Sequence, residues 1–253
     1  MKQEYAGQYA QLERNHWWFE GRRSILRRLL RSEVDWSAPR KVLEVGVGPG
    51  VNLYSLYPDN ADLIGVEPDP GNARLAAGLG QIPVHEGTVE KLPAVAMTTT
   101  FDVITMFDVL EHIEDDRAAL QILKERLKPG GALLLTVPAY QWMWGAHDDV
   151  NLHFRRYTRG RLIALLRDAG FVVKRSTYFN TWLFPLIALV RLVAKLIPKR
   201  KPTSRDVGSD FDKPSGLLNA PLRWLFASEA WFLPWVSFPF GVSLFVSARK
   251  EDE

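Results

Sequence analysis

Apolar residues recur with two different periods along this chain, and the change from one to the other marks its layout. Near the start, Trp18, Phe19, Ile25, Leu26, Leu29 and Leu30 fall on one side at a 3.6-residue spacing, while Arg23, Arg27, Arg28 and Arg31 fall on the other. That spacing predicts an amphipathic helix, broken at Ser37-Ala38-Pro39. From Lys41 the pattern shortens to β-branched runs at 42–45, 61–66, 82–85, 101–106 and 132–137. Helical stretches at 70–79 and 115–127 separate several of them. Strands alternating with helices predict a parallel sheet covered on both faces. Lys128-Pro129-Gly130-Gly131 predicts a helix stop and a turn, and 159–168 predicts a further helix closed by Gly170. A sixth strand is expected at 171–177, then an apolar insertion at 180–238 broken by Lys199-Arg200-Lys201, then a last strand at 240–248. The expected layout is one domain over 1–253, with N-terminal helices at 1–38 and a core at 40–178.

Composition narrows the field. Of 253 residues, 47% are hydrophobic and 24% charged, which is ordinary globular usage and excludes a disordered chain. Lys+Arg 32 against Asp+Glu 29 leaves a net +3, and the basic residues are not pooled, so nothing points to nucleic acid. The absence of cysteine excludes disulfides, thiolate zinc sites and a cysteine nucleophile. The polar N-terminus has no signal-peptide core, so a cytoplasmic location is expected. Residues 230–248 carry no charge and are long enough for a membrane span, but Pro234, Pro239 and Gly241 would break such a helix. The stretch therefore reads as a loop entering a buried strand.

Three motifs carry chemistry. Leu43-Glu44-Val45-Gly46-Val47-Gly48-Pro49-Gly50 lies where the first strand should turn into a helix. Its glycines permit tight turns and let a ligand approach the backbone. A dinucleotide fingerprint would need glycine at position 51, where the chain has Val51. Glu67, in Gly65-Val66-Glu67-Pro68-Asp69, ends the second strand. An acid there accepts hydrogen bonds from both ribose hydroxyls and repels a 2′-phosphate. The third is Phe101-Asp102-Val103-Ile104-Thr105-Met106-Phe107-Asp108-Val109-Leu110-Glu111-His112, followed later by Leu127-Lys128-Pro129-Gly130-Gly131.

Together, over roughly residues 40–178, these motifs resemble the class I S-adenosyl-methionine-dependent methyltransferases. The resemblance is strongest to the small-molecule group that includes ubiquinone-biosynthesis O-methyltransferases. It implies an α/β, Rossmann-like seven-stranded sheet with the last strand antiparallel and helices on both faces. It implies S-adenosyl-L-methionine as cofactor, S-adenosyl-L-homocysteine as product, and a small-molecule acceptor that a lipophilic insertion would suit. Carried over residue by residue, Glu44, Gly46, Gly48 and Gly50 would hold the methionine part, and Glu67 with Pro68 the ribose. Thr88 and Val89 would meet the adenine, and Phe107, Asp108, Leu110 and His112 would lie beside the cofactor. Thr88 stands where such families usually place an acid, with Glu90 nearby, and Val47 and Pro49 replace a usual cysteine and threonine.

Methyl transfer from a sulfonium is an in-line displacement that needs orientation and a dry site, with a base only where the acceptor must lose a proton. The loop from Pro138 to Thr158 is too rich in functional side chains for a connector. His147 and His153 are its candidate bases. Arg155 and Arg156 could hold an acidic acceptor, or could instead pair with Asp148 and Asp149. Tyr140, Trp144 and Tyr157 could wall the site, and Trp17, with His16, could act as a lid. Trp18 and Phe19 read as core and His85 as structural. A metal held by His147, Asp148 and His153 fits no ligand spacing, so no metal is expected. Helices expected at 182–196 and 217–235, over the acceptor side of the sheet, leave three readings: added core, a dimer face, or a peripheral membrane contact. The oligomeric state stays open. Two rival functions remain. A nicotinamide-dependent oxidoreductase is disfavoured by Val51 and by the lack of a Tyr-x-x-x-Lys pair at the expected site. A non-catalytic S-adenosyl-methionine-binding module is favoured slightly by Thr88.

Overall fold

The computed structural model describes residues 13–196 and 216–251. Its strands are β1 (Arg40–Val45), β2 (Ala61–Glu67), β3 (Val84–Glu86), β4 (Phe101–Phe107), β5 (Leu127–Pro138), β6 (Phe171–Phe179) and β7 (Ser243–Lys250). The helices are α1 (Trp17–Glu33), α2 (Pro70–Ala77), α3 (Ala94–Thr98), α4 (Asp116–Arg126), α5 (Ala146–Val150), α6 (Arg159–Asp168), α7 (Phe184–Leu196) and α8 (Gly216–Phe232). The strands form one sheet in the order β3-β2-β1-β4-β5-β7-β6. β1 to β5 pair in parallel, and β7 runs antiparallel to both β5 and β6. The chain leaves β1 toward β2 on one side and later returns through β4 on the other. That reversal of strand order opens a crevice at the carboxyl ends of β1 and β4, where α/β sheets bind ligands.

Two layers cover the sheet. On one face Leu43, Ile104, Leu133 and Val246 pack with Leu120 and Leu123 of α4 and Leu162 and Leu166 of α6. On the other, Val42, Val103, Leu134 and Phe245 pack with Ile25, Leu26 and Leu29 of α1 and Phe226 of α8. Local chemistry sets the helix ends. His16 caps α1 through its ring nitrogen, 3.3 Å from the Trp18 N–H, Asp115 caps α4, and Thr158 caps α6. The buried stripe of α1 includes Gly21 and Arg22. Gly21 admits α8, because a Cβ there would lie 2.7 Å from the Phe226 ring.

Four expected boundaries shift. β3 is shorter and later than 82–85: Pro83 has no N–H to give, and its carbonyl instead accepts from the Gly65 N–H at 2.8 Å. β5 begins at Leu127, and the turn expected at Lys128–Gly131 is a bulge inside the strand: Leu127 faces Phe101 and Ala132 already faces Val103, with Gly130 at φ 69°. Residues 51–57 after the glycine loop form successive turns rather than a regular helix. The last strand starts at Ser243, because Gly241 lies so close to the Phe179 backbone that the chain crosses β6 there before pairing.

The insertion supplies α7 and α8, and they part ways. α8 lies along α1, joined by the Trp17 N–H to Asn219 at 2.8 Å and by Arg223 to Glu20 at 2.7 Å. It completes the cover of the sheet. α7 alone borders the crevice, so only half of the insertion takes the place expected of both helices. Lys199-Arg200-Lys201 lies outside the described residues. Among those residues no helix is long and apolar enough to cross a membrane.

If α8 is integral to the fold, truncating its fully buried anchor should cost what core aromatics cost. Phe226→Ala is expected to lower the unfolding free energy by about 3–5 kcal/mol, read from urea denaturation.

Candidate functional site

The crevice is a cleft of about 990 Å³. One end is built on the glycine loop. Gly46, Gly48 and Gly50 have φ of 72°, 56° and 90°, a region that costs other residues about 1–2 kcal/mol each. At Gly46 a side chain would also strike Val109, and at Gly50 a Cβ would sit 2.8 Å from Ala76. The Gly48 N–H donates to Glu67 Oε2 at 2.8 Å, and the Asp69 N–H to Glu67 Oε1 at 3.1 Å. Burial raises the Glu67 pKa, and these two N–H bonds oppose the rise. Gly46, Gly48, Glu67, Pro68, Thr88 and Val89 all line this end.

The floor is a charged triangle. Asp108, at φ 58°, takes the Arg22 guanidinium at 2.7 Å and the Thr136 hydroxyl at 2.8 Å. Arg22 also reaches Thr136 at 3.2 Å, beneath the Trp18 ring. Around it sit buried and half-buried carboxyl groups. Burial pushes Glu13 up to about 7 despite Arg22 and Arg23. Burial lifts Glu44, in β1, to about 8, and its Oε2 has no partner.

The other end belongs to the loop after β5. Asp148, fully buried, accepts from His153 Nδ1 at 2.9 Å, Arg156 Nε at 2.7 Å and the Gly145 N–H at 2.8 Å. Burial opposes its charge, yet the bonds from His153 and Arg156 prevail and hold its pKa well below the usual range. The His153 ring meets His112 edge-on at 4.6 Å and His147 at 6.0 Å. Burial, then His153, lowers His112 to about 4. Glu111 is buried, its Oε2 lacks a partner, and desolvation pushes its pKa far up. Although no metal was expected, Glu111, His112 and His153 do bring ligand-type atoms within 4.8 Å of one another. His147 lines the cleft and takes Asn151 against its ring and carbonyl.

The structure thus brings to the cleft His147, His153, Gly46, Gly48, Glu67, Pro68, Thr88, Val89, Phe107, Asp108, His112, Trp17 and Arg156. Arg156 is spent on Asp148 and the Ala139 carbonyl, the pairing that was its alternative. Seven expected residues lie off the wall. Glu44, Gly50 and Leu110 sit beneath it. Tyr157 is buried with its hydroxyl on Asp116, and Arg155 pairs with the same carboxylate at 2.7 Å. Tyr140 stacks on Tyr178, and Trp144 donates to Asp149. Sequence reasoning missed Glu13, Arg22, Glu111, Asn180 and the α7 residues Leu186 and Ile187. Arg22 had left a trace: it occupies an apolar-stripe position of α1, one turn from Trp18 and Leu26.

A family model described as a methyltransferase domain matches residues 15–176. The chain belongs to this methyltransferase-domain family. The ubiquinone biosynthesis O-methyltransferase of Pseudomonas putida is 31% identical over 163 residues, covering 54% of this chain and 66% of that protein. The mitochondrial ubiquinone biosynthesis O-methyltransferase of Schizosaccharomyces pombe is 33% identical over 102 residues, covering 38% and 37%. The chain therefore spans between about two fifths and two thirds of the curated relatives it matches. A Thermotoga maritima structure described as a S-adenosyl-methionine-dependent methyltransferase, possible histamine N-methyltransferase, shares the fold at TM-score 0.60 and 19% identity, covering 98% of each chain. The nicotinamide alternative gains no support from these matches.

The methyltransferase-domain cleft carries a pH signature. Glu44 at about 8 and Glu13 at about 7, against an ordinary 4.5, keep protons in the folded chain that the unfolded chain has lost. Stability should then fall as pH rises from about 4.5 to about 8. Glu44→Gln should flatten that decline, checked by urea denaturation at the two ends of the window.

Proposed function

We propose that this chain transfers a methyl group from S-adenosyl-methionine to a hydroxyl on a small lipophilic molecule. The observation that carries the reading is the division of one cleft. A glycine cradle closed on a buried acid lies at one end, and a histidine oriented by a buried carboxylate lies at the other. The cradle fits the cofactor on its own geometry. Backbone approaches without Cβ at Gly46 and Gly48, Glu67 presents a carboxylate at the end of β2, and Asn72 Oδ1 is buried and unpartnered. When bound, S-adenosyl-methionine supplies a methyl group on a positively charged sulfur, already activated toward displacement.

The chain's own residues then have four tasks. Glu67 holds the ribose hydroxyls on the lone pairs that its bonds to the Gly48 and Asp69 N–H groups leave open. The Glu67 carboxylate, held by N–H groups and by no cation among the described residues, favours a cationic ligand over a neutral one. Trp17, Ile187 and Val190 line the cleft with apolar surface that excludes water and suits a lipophilic acceptor. With Nδ1 fixed on Asp148, His153 takes the acceptor's proton at Nε2, and Asp148 stabilises the imidazolium that results. The O-methyltransferase names of the relatives support a hydroxyl acceptor, and no feature of the cleft favours a nucleic acid.

Two variants separate the ends. Glu67→Ala should weaken S-adenosyl-methionine binding by about 1.5–3 kcal/mol in calorimetry. His153→Ala should lower kcat by about 10²-fold or more and leave cofactor affinity within about threefold. Full turnover in His153→Ala on an acceptor that must lose a proton would remove the base.

A further inference from the structure

The outward sides of α8 and α7 are apolar to an extent that folding does not explain. Trp224, Trp231 and Trp235 are 74%, 78% and 81% exposed, and Leu218 and Phe232 are exposed beside them. Residues 224 and 231 lie two turns apart, and so do 218, 225 and 232, so α8 shows two adjacent apolar stripes to the outside. α7 adds exposed Leu189, Leu192 and Val193. Aromatic contacts link the segments that flank the helices, with Trp182, before α7, against Phe232 at the end of α8 at 6.1 Å and against Phe238 beyond it at 5.3 Å. Monomeric proteins rarely leave such a patch uncovered.

Charge selects what covers it. α7 contains no acid, and the one acid of α8, Glu229, is buried on the Thr181 and Trp182 N–H groups. The acids of neighbouring α1 are engaged as well, Glu20 with Arg223 and Glu33 with Arg175. Arg28 and Arg31 are exposed and form no ion pair among the described residues. With Arg27 and Trp231 they line a groove of about 380 Å³ along the seam between α1 and α8. Unpaired cations beside outward tryptophans match a bilayer interface, where indole rings sit at headgroup level and basic groups meet anionic phosphates. A second copy docked through this same face would bring the cationic row to helices that offer it no free acid.

We propose that the outer face of α7 and α8 docks on the surface of a bilayer containing anionic lipid, with Arg28 and Arg31 over the phosphates and the three tryptophans at the interface. The helices lie on the membrane and do not cross it. The cleft opens along the same element: Leu186 and Val190 both line it and are exposed. A lipophilic acceptor would reach the cleft along α7 without passing through water. This last step rests on the acceptor reading above; the docking itself does not.

Vesicle flotation tests it without any methyl transfer. The full chain is mixed with phosphatidylcholine vesicles, with and without phosphatidylglycerol, at low and high salt. Binding is expected to the anionic vesicles at low salt and to weaken with salt. Arg28→Gln with Arg31→Gln should reduce partitioning about thirtyfold, the effect of two charges at an anionic surface. Trp231→Ser with Trp235→Ser should abolish it, with near-ultraviolet circular dichroism confirming the fold. In the unaltered chain, brominated lipid should quench tryptophan fluorescence, while soluble glycerophosphate should not compete. No binding at low salt, or equal binding to neutral vesicles, would overturn the proposal. So would a dimer in sedimentation that the tryptophan variant converts to monomer, because a second copy would then be the cover.

Discussion

The cleft depends on one backbone constraint: three left-handed glycines must turn the chain off the end of β1 without blocking the space above β4. Gly46 allows the chain to pass Val109, and Gly50 allows α2 to close in through Ala76. Between them the Gly48 N–H points at Glu67, so a side-chain bond of 2.8 Å ties the glycine loop to the end of β2, beyond the backbone bonds from Gly46 and Val47 to the Val66 carbonyl. Everything proposed for the cofactor end follows from that tie. It fixes a carboxylate at the edge of the cleft, and it leaves backbone rather than side chain facing any ligand.

Around this frame the molecule buries acids at a cost. Glu13, Glu44, Glu67 and Glu111 all titrate above their ordinary range because they are poorly solvated. The Arg22–Asp108 pair is the main fixed cation–anion contact at the floor. A site with more buried carboxyl groups than cations is poised for a positively charged ligand. At the far end the logic reverses: Asp148 stays ionised because His153 and Arg156 both reach it. One cleft therefore holds carboxyl groups without a cationic partner among the described residues and a carboxylate whose charge is already spent on holding His153 and Arg156.

The strands and the glycine loop were legible because their signals are local. Alternating runs, Gly46-x-Gly48-x-Gly50 and the acid closing β2 each lie within a few residues. The parallel sheet and the crevice position follow from them, while the antiparallel last strand was implied only by the resemblance to methyltransferases. The contacts that escaped join distant segments. Arg22 meets Asp108 and Thr136 more than eighty residues away, and Glu229 holds the Thr181 and Trp182 N–H groups from another helix. No short motif encodes either. Tyr157, Arg155 and Tyr140 show the opposite error. Their residue types suit a binding loop, but Asp116 and Tyr178 had claimed them, and only packing reveals that. The two insertion helices shared one apolar signature, yet α8 was drawn onto α1 by Gly21 and Phe226 while α7 stayed at the cleft.

The most direct test of the central claim is amide hydrogen exchange with and without S-adenosyl-homocysteine. The account predicts that the ligand slows exchange across Gly46–Gly50 and at Asp69, the amides around Glu67, while a nicotinamide nucleotide leaves them unchanged. Unaltered exchange at those amides with saturating S-adenosyl-homocysteine, or equal protection by the nicotinamide nucleotide, would contradict it.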